Sequence, residues 1–223
     1  MPGLSLLQLP VDESGPGRHY VLPSGTLAPS VTTVLGHFKK AGLEKWKDRV
    51  GHDAAETIKN RAATKGTRLH ALLEDYCQGI DSSKTVMPNT LWSFKQVKQI
   101  LDEDVDNIEY VEANLYSEKL RLAGRTDVIA EYKGRRSIID FKTSTAIKKV
   151  KYITDYFEQG TAYSEMYSEL TGNPCDQIVI IIANDYEPPQ VFTAQPDQHR
   201  ESLLGKLAEY RKYVDSEKNS VYK

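Results

Sequence analysis

The sequence predicts an α/β protein with a mixed central β-sheet, helices on its faces and a helical N-terminal extension. Three observations predict it. Apolar residues recur at helical spacing over most of the first hundred positions, after a Pro/Gly/Ser-rich start. From Tyr110 onward the period changes to two, through YVEANLYS, LRLAGRTDVIAEY and RRSIIDFKT. Near the end, CDQIVIIIAN is an almost continuous apolar run, the pattern of a strand buried on both faces.

Residues 1–29 read as a loose arm or hairpin, with apolar patches at Leu4–Leu9 and His19–Leu22 around PVDESGPG. Ser30 is placed to cap a helix carrying Val31, Val34, Leu35 and Phe38, which Gly42 is expected to end. LEKWKDRVG follows as a short helix using Leu43, Trp46 and Val50. His52 to Gln78 is helical, with a break expected at Lys65-Gly66 and a stripe of Leu69, Leu72, Leu73 and Tyr76. A helix over about 90–105 buries Phe94, Val97 and Leu101. Two of the period-two strands are joined by a Lys133-Gly134 turn. A helix over about 150–170 ends at Gly172, a natural left-handed terminator. PQVFTAQ is a further strand. A last helix uses Leu203, Leu207, Tyr210 and Val214 before a frayed charged tail. The expectation is one domain over 1–223: an arm at 1–29, a helical region at 30–106 carrying His70, and an αβ core at 107–223.

Composition excludes several classes. With 29 Lys+Arg against 31 Asp+Glu the net charge is −2, so any polyanion partner must be met by local positive charge. Cys77 and Cys175 are the two cysteines. That is too few for an iron–sulfur cluster, and no disulfide framework is expected, which suits a reducing compartment. The start lacks the pattern of a secretory or transit peptide, and no apolar stretch is long enough to span a membrane. The expectation is a soluble cytoplasmic protein, with no membrane partner.

The chemistry concentrates in AGRTDVIAEYKGRRSIIDFKTST. Asp127 and Asp140 lie 13 positions apart across a tight turn, so antiparallel pairing brings them near each other. Alternation puts Ile138, Asp140 and Lys142 on one face and Ile139 and Phe141 on the other. A single Asp-x-Lys is usually an ordinary salt bridge. Two carboxylates converging in an apolar setting, however, repel unless a cation lies between them, and buried charge costs several kcal/mol (roughly) when unpaired. Hard oxygen donors favour Mg²⁺ or Mn²⁺, which suits phosphodiester hydrolysis. His70 sits at the border of its helix's apolar stripe, where a structural histidine is commoner than a ligand. Gln159 and Tyr163, four residues apart, share a helix face with Tyr156 and Tyr152; an aromatic core stripe is the plainer account.

In order, Gly66–His70 (GTRLH), Gly124–Asp127 (GRTD), Ile139–Thr143 (IDFKT) and Gln159–Tyr163 (QGTAY) resemble the RecB-like branch of the PD-(D/E)xK nuclease superfamily. PSVTTVL, LEKWK and the Glu112/Glu118 pair are most similar to the mitochondrial genome maintenance exonuclease-like phage and bacterial proteins. The resemblance implies a PD-(D/E)xK core. It also implies metal ligation by Asp127, Asp140, the Phe141 backbone carbonyl and His70, with Glu112 and Glu118 as further candidates. Lys142 would position the attacking water or steady the phosphate, and Gln159 and Tyr163 would support the strands and the DNA. The absence of four cysteines sets the chain apart from the superfamily's iron–sulfur members. Arg125, Lys148, Lys149 and Lys151 are candidate DNA contacts, joined by Lys65, Arg68, Lys39, Lys40, Lys45 and Lys47. Trp46 and Tyr156 are candidate stacking residues.

The implied function is a Mg²⁺- or Mn²⁺-dependent DNA exonuclease acting on single strands or free ends, in a bacterium or a phage-infected cell. A structure-specific endonuclease and a silent DNA-binding subunit are the alternatives. Oligomeric state and polarity are not encoded in any motif.

Overall fold

A computed structural model describes residues 8–13, 17–83 and 86–221. The arm is a small antiparallel sheet rather than a loose hairpin: β1 (Val11–Asp12), β2 (His19–Val21) and β3 (Leu27–Pro29) pair in that order. Leu4–Leu7 lie outside the described residues. The sheet is held by Leu9, Tyr20, Leu22 and Ala28, which pack on Ala123.

Ser30 caps α1 (Val31–His37) as expected, its Oγ accepting from the Thr33 amide at 2.9 Å. Gly42 does not end this helix. The chain turns at Phe38 and Lys39, and Gly42 lies inside α2 (Lys40–Val50), which has no buried residue. Trp46 is accordingly half-buried rather than a core anchor. The break expected at Lys65-Gly66 is also absent: α3 (His52–Cys77) runs unbroken for 26 residues. A helical glycine costs about 1 kcal/mol relative to alanine, and burial of Leu69, Leu72 and Leu73 outweighs it, at roughly 1.5–3 kcal/mol per side chain. α4 (Pro88–Asp104) starts with proline in its first turn, where the missing N–H costs nothing.

The central sheet has the order β4-β5-β6-β7-β8: β4 (Val105–Ser117), β5 (Leu122–Tyr132), β6 (Arg135–Ser144), β7 (Gln177–Asn184) and β8 (Gln190–Ala194). Only β6 and β7 are parallel, joined by α5 (Thr154–Thr171), and α6 (Arg200–Val221) closes the chain. The helix expected from residue 150 starts at Thr154, after a single 3-10 turn at Val150–Tyr152. Gly172 ends α5 at φ +75°. The last helix continues to Val221 instead of fraying early.

Two apolar layers sandwich the sheet. Leu115, Ile129 and Ile138 face α1, α5 and α6, among Val34, Met166 and Leu207. Val128, Ile139, Phe141, Val179 and Ile181 face α3 and α4. β7 is buried along its whole length, as its apolar run requires. Among the described residues no helix is long and apolar enough to cross a membrane.

Candidate active site

The sheet forks where chemistry is expected. The β5–β6 ladder stops at Val128↔Ile139, while β5 stays paired with β4 down to Leu122 and β6 with β7 up to Ser144. Asp127 and Asp140 are the first residues past the last pair. Their separation in sequence follows from the tight turn, in which Lys133 and Gly134 both take positive φ (51° and 73°). Asp127 replaces the lost ladder bond with its side chain: Oδ2 accepts from the Phe141 amide at 2.7 Å.

Asp140 is 2% exposed, and the Lys142 ammonium is ion-paired with it from two residues along the same strand. Lys142 also sits 5.2 Å from the centre of the Tyr156 ring. Burial pushes the Asp140 carboxyl up to about 6, against the pull of Lys142, with Asp127 adding repulsion. The Lys142 ammonium resists its own burial, because Asp140 and Asp127 hold its pKa above the usual lysine value. Asp127 is opposed by burial too, yet His70, Lys142 and the Phe141 amide hold it below the usual carboxylate range.

His70 comes from α3 on the other side of the fork. Its Nδ1 lies 3.5 Å from Asp127 Oδ2, and its ring meets Phe141 edge-on. Burial lowers its basicity, but the charges of Asp127 and Asp140 outweigh that and raise it. Gly66, one turn earlier, faces β6, where an added Cβ would meet Thr143 Oγ1 at 3.7 Å, an ordinary contact.

Glu112 completes the group. A register shift between Asp106 and Tyr110 and a positive φ of 52° at Glu112 interrupt β4, and the carboxylate lines the same cavity as Asp127. Such a φ is uncommon for a residue other than glycine. Burial raises Glu112 to about 7, with Arg125 opposing and Asp127 reinforcing. One ligand atom each from His70, Glu112 and Asp127 lies within 4.8 Å of the others. One imidazole nitrogen and two carboxylate oxygens are a donor set that fits a divalent cation.

These groups line a cavity of about 450 Å³, together with Lys142, Gln159, Tyr163, Arg18 and Thr32. Gln159 Nε2 donates to Tyr163 OH at 3.4 Å. Gly124 explains the glycine of GRTD: a Cβ there would lie 2.8 Å from Tyr163 Cε1.

Other candidates are placed elsewhere. Glu118 accepts from the Ser24 amide and hydroxyl at 3.1 and 2.8 Å, tying the arm to the sheet outside the cavity. Arg125 lines the cavity but is ion-paired with Glu112. Lys148, Lys149 and Lys151 lie beyond the cavity; the Lys148 amide bonds Gln190 and the Lys151 ammonium sits over Tyr152. Lys65 pairs with Asp185, Lys39 with Asp155 and Lys47 with Glu44. Arg18 and Glu74 line the cavity without any sequence signal; one lies in the arm, the other one helical turn past His70.

Residues 81–218 match the model of the PD-(D/E)XK nuclease superfamily, a stretch that holds Asp127, Asp140 and Lys142 and begins after His70. The chain is 28% identical over 158 residues to mitochondrial genome maintenance exonuclease 1 of Xenopus tropicalis, covering 67% of this chain and 44% of that protein. It is 32% identical over 126 residues to the Homo sapiens protein of the same name, covering 52% of this chain and 36% of that one. The chain thus spans less than half the length of these relatives. A solved structure from Eubacterium rectale, of a protein described as a candidate exonuclease, aligns with a TM-score of 0.47 at 15% identity, over 70% of this chain and 68% of that one. The forked sheet with its Asp, Asp and Lys and the match over 81–218 place this chain in the PD-(D/E)XK nuclease superfamily.

Proposed function

We propose that this chain is a Mg²⁺- or Mn²⁺-dependent exonuclease acting on single-stranded DNA or DNA ends. The observation that carries the reading is the fork, where Asp127, Asp140 and Lys142 meet His70 and Glu112 in one cavity. The similarity to proteins named exonucleases supports attack at ends rather than within a strand.

Asp127, Glu112 and His70 would hold the cation, with Asp140 beside them. Bound there, a divalent cation acidifies water and offsets the negative charge that builds on a phosphate under attack. The chain's own residues do the rest. Asp127 is fixed before substrate arrives, because the Phe141 amide and His70 hold its oxygen in place. Lys142 keeps its proton at neutral pH, so it donates to a phosphate oxygen or orients the attacking water and does not act as a base. Burial of Asp140 limits how far bulk water screens its pair with the half-buried Lys142. Gln159 fixes the Tyr163 hydroxyl, and Tyr163 against Gly124 sets the cavity wall. Arg125 keeps guanidinium N–H groups beyond its pairing with Glu112 to offer a phosphate.

The test is digestion of end-labelled linear single-stranded DNA beside a closed single-stranded circle, with Mg²⁺ or Mn²⁺. Loss of the linear strand with the circle intact is expected. Efficient cutting of the circle would move the reading to an endonuclease, and no cleavage of either to a binding subunit.

A further inference from the structure

We infer that a groove leading away from the catalytic cavity carries a single nucleic-acid strand to a stacking shelf made by Tyr213 and His37. This inference rests on the nuclease reading and extends its binding site to a region the catalytic motifs do not touch. Arg18 and Thr32, on the cavity wall, also line a second hollow of about 460 Å³ that continues over Gly17 and Thr33. Those residues in turn border a third hollow, of about 580 Å³, that ends between α1 and α6. The three depressions share wall residues and so adjoin one another, beginning at the catalytic cavity.

The far end has the chemistry of a base platform. The His37 and Tyr213 rings lie 4.3 Å apart at 40°, and Tyr210 meets His37 edge-on at 5.5 Å. Tyr210 is 8% exposed and belongs to the core, whereas Tyr213 is 40% exposed and presents its ring. The buried tyrosine braces the shelf and the open one offers a face. Aromatic faces of this kind stack with any unpaired base, whereas paired bases are already stacked in their own helix. A single strand is therefore the fitting occupant.

Charge along the path is balanced, with two cations against two acids, so the aromatic shelf rather than net charge points to the strand. Arg18 stands where the first hollow meets the second, and Lys40 stands by the shelf. Among the described residues, the acids lining the second and third hollows are Glu13, which is paired with Arg18 at 3.0 Å, and Glu217 at the far lip. From Thr32 to His37, α1 rises about 7.5 Å at roughly 1.5 Å per residue, so the shelf lies within short reach of the cavity. Gly36 leaves the floor open beside the shelf: a Cβ built there meets no atom within 4 Å.

The experiment measures fluorescence anisotropy of a long (about 20-nucleotide) and a short (about 2-nucleotide) labelled oligothymidylate on the full chain. Ca²⁺ replaces Mg²⁺ so that binding is read without cleavage. Tyr213→Ala removes the shelf. Gly36→Leu fills the groove from an open helix position and should leave the melting temperature unchanged or higher. Each is expected to weaken the long oligonucleotide about tenfold, a typical stacking loss, and to spare the short one, which ends before the shelf. Wild-type affinity of both variants for the long strand overturns the inference, as does equal weakening for both lengths. Failure of the nuclease reading would show separately, as wild-type protein that cleaves no DNA in Mg²⁺.

Discussion

On the fork of β5 and β6, Asp140 is 2% exposed and the neighbouring Asp127 is fixed by a backbone amide. On the facing wall, the Arg18 side chain is 53% exposed and paired with a glutamate that is itself 65% exposed. Both line one cavity. The fork places charge where water is scarce, so each carboxylate must find a cation, an N–H or a proton. The arm-side wall places charge where water screens it, so pairs there contribute little to stability and remain free to exchange partners. Chemistry belongs to the first kind of surface and substrate handling to the second.

The difference can be broken most sharply at Asp140. Asp140→Ala is expected to lower cleavage of single-stranded DNA by at least about a thousandfold while the chain still unfolds cooperatively. Comparable turnover by the variant would move the active centre away from the fork. Next in size is Gly124→Ala, which pushes a methyl into the Tyr163 ring and should cost about 1–3 kcal/mol in urea unfolding. An unchanged midpoint would mean that the ring gives way freely.

The fork also predicts a pH dependence in metal-free protein. Folding raises the Asp140 carboxyl from its ordinary 3.8 to about 6 and Glu112 from 4.5 to about 7, both through burial. The folded chain therefore holds more protons than the unfolded one in that window, and stability falls as pH rises through it. His70, raised by its acidic neighbours, acts in the same direction: its contribution is present at low pH and lost as pH rises. Melting in a chelator is expected to be higher at about pH 5 than at about pH 8, and Asp140→Asn should flatten the slope. A flat wild-type profile would remove burial as the cause.

Smaller effects belong to the opposite wall. Arg18→Ala should raise KM for single-stranded DNA by about threefold to tenfold, with a steeper loss at low salt and little change in kcat. A fall in kcat alone would place Arg18 with the catalytic group. Ser30→Ala removes the cap of α1 and should cost about 1 kcal/mol in thermal unfolding with no change in cleavage.

The same contrast governs what the sequence could tell. GRTD and DFK were legible because a period-two pattern with a charge on an apolar face is locally improbable, and the turn between them fixes their meeting. The shell around them was less so. Strand alternation alone gives Glu112 an exposed face, whereas the register shift and positive φ in β4 turn it into the cavity, and no residue type announces either. Arg18 reaches the site through a small sheet whose strands are two and three residues long, too short for any pattern. Gly66 looked like a helix breaker because local propensity disfavours it; the packing of Leu69, Leu72 and Leu73 on the sheet decides otherwise. Glu118 sat beside Glu112 in sequence but answers to Ser24.

The unbroken run of α3 from His52 to Cys77 makes it a fixed ruler. His70 shares a rigid angular register with the leucines at 69, 72 and 73 that seat the helix on the sheet. Adding or deleting one residue between His70 and Leu72 would swing the imidazole by about 100° relative to that seat. A length change beyond Cys77 falls outside the helix and would leave His70 in register with that seat.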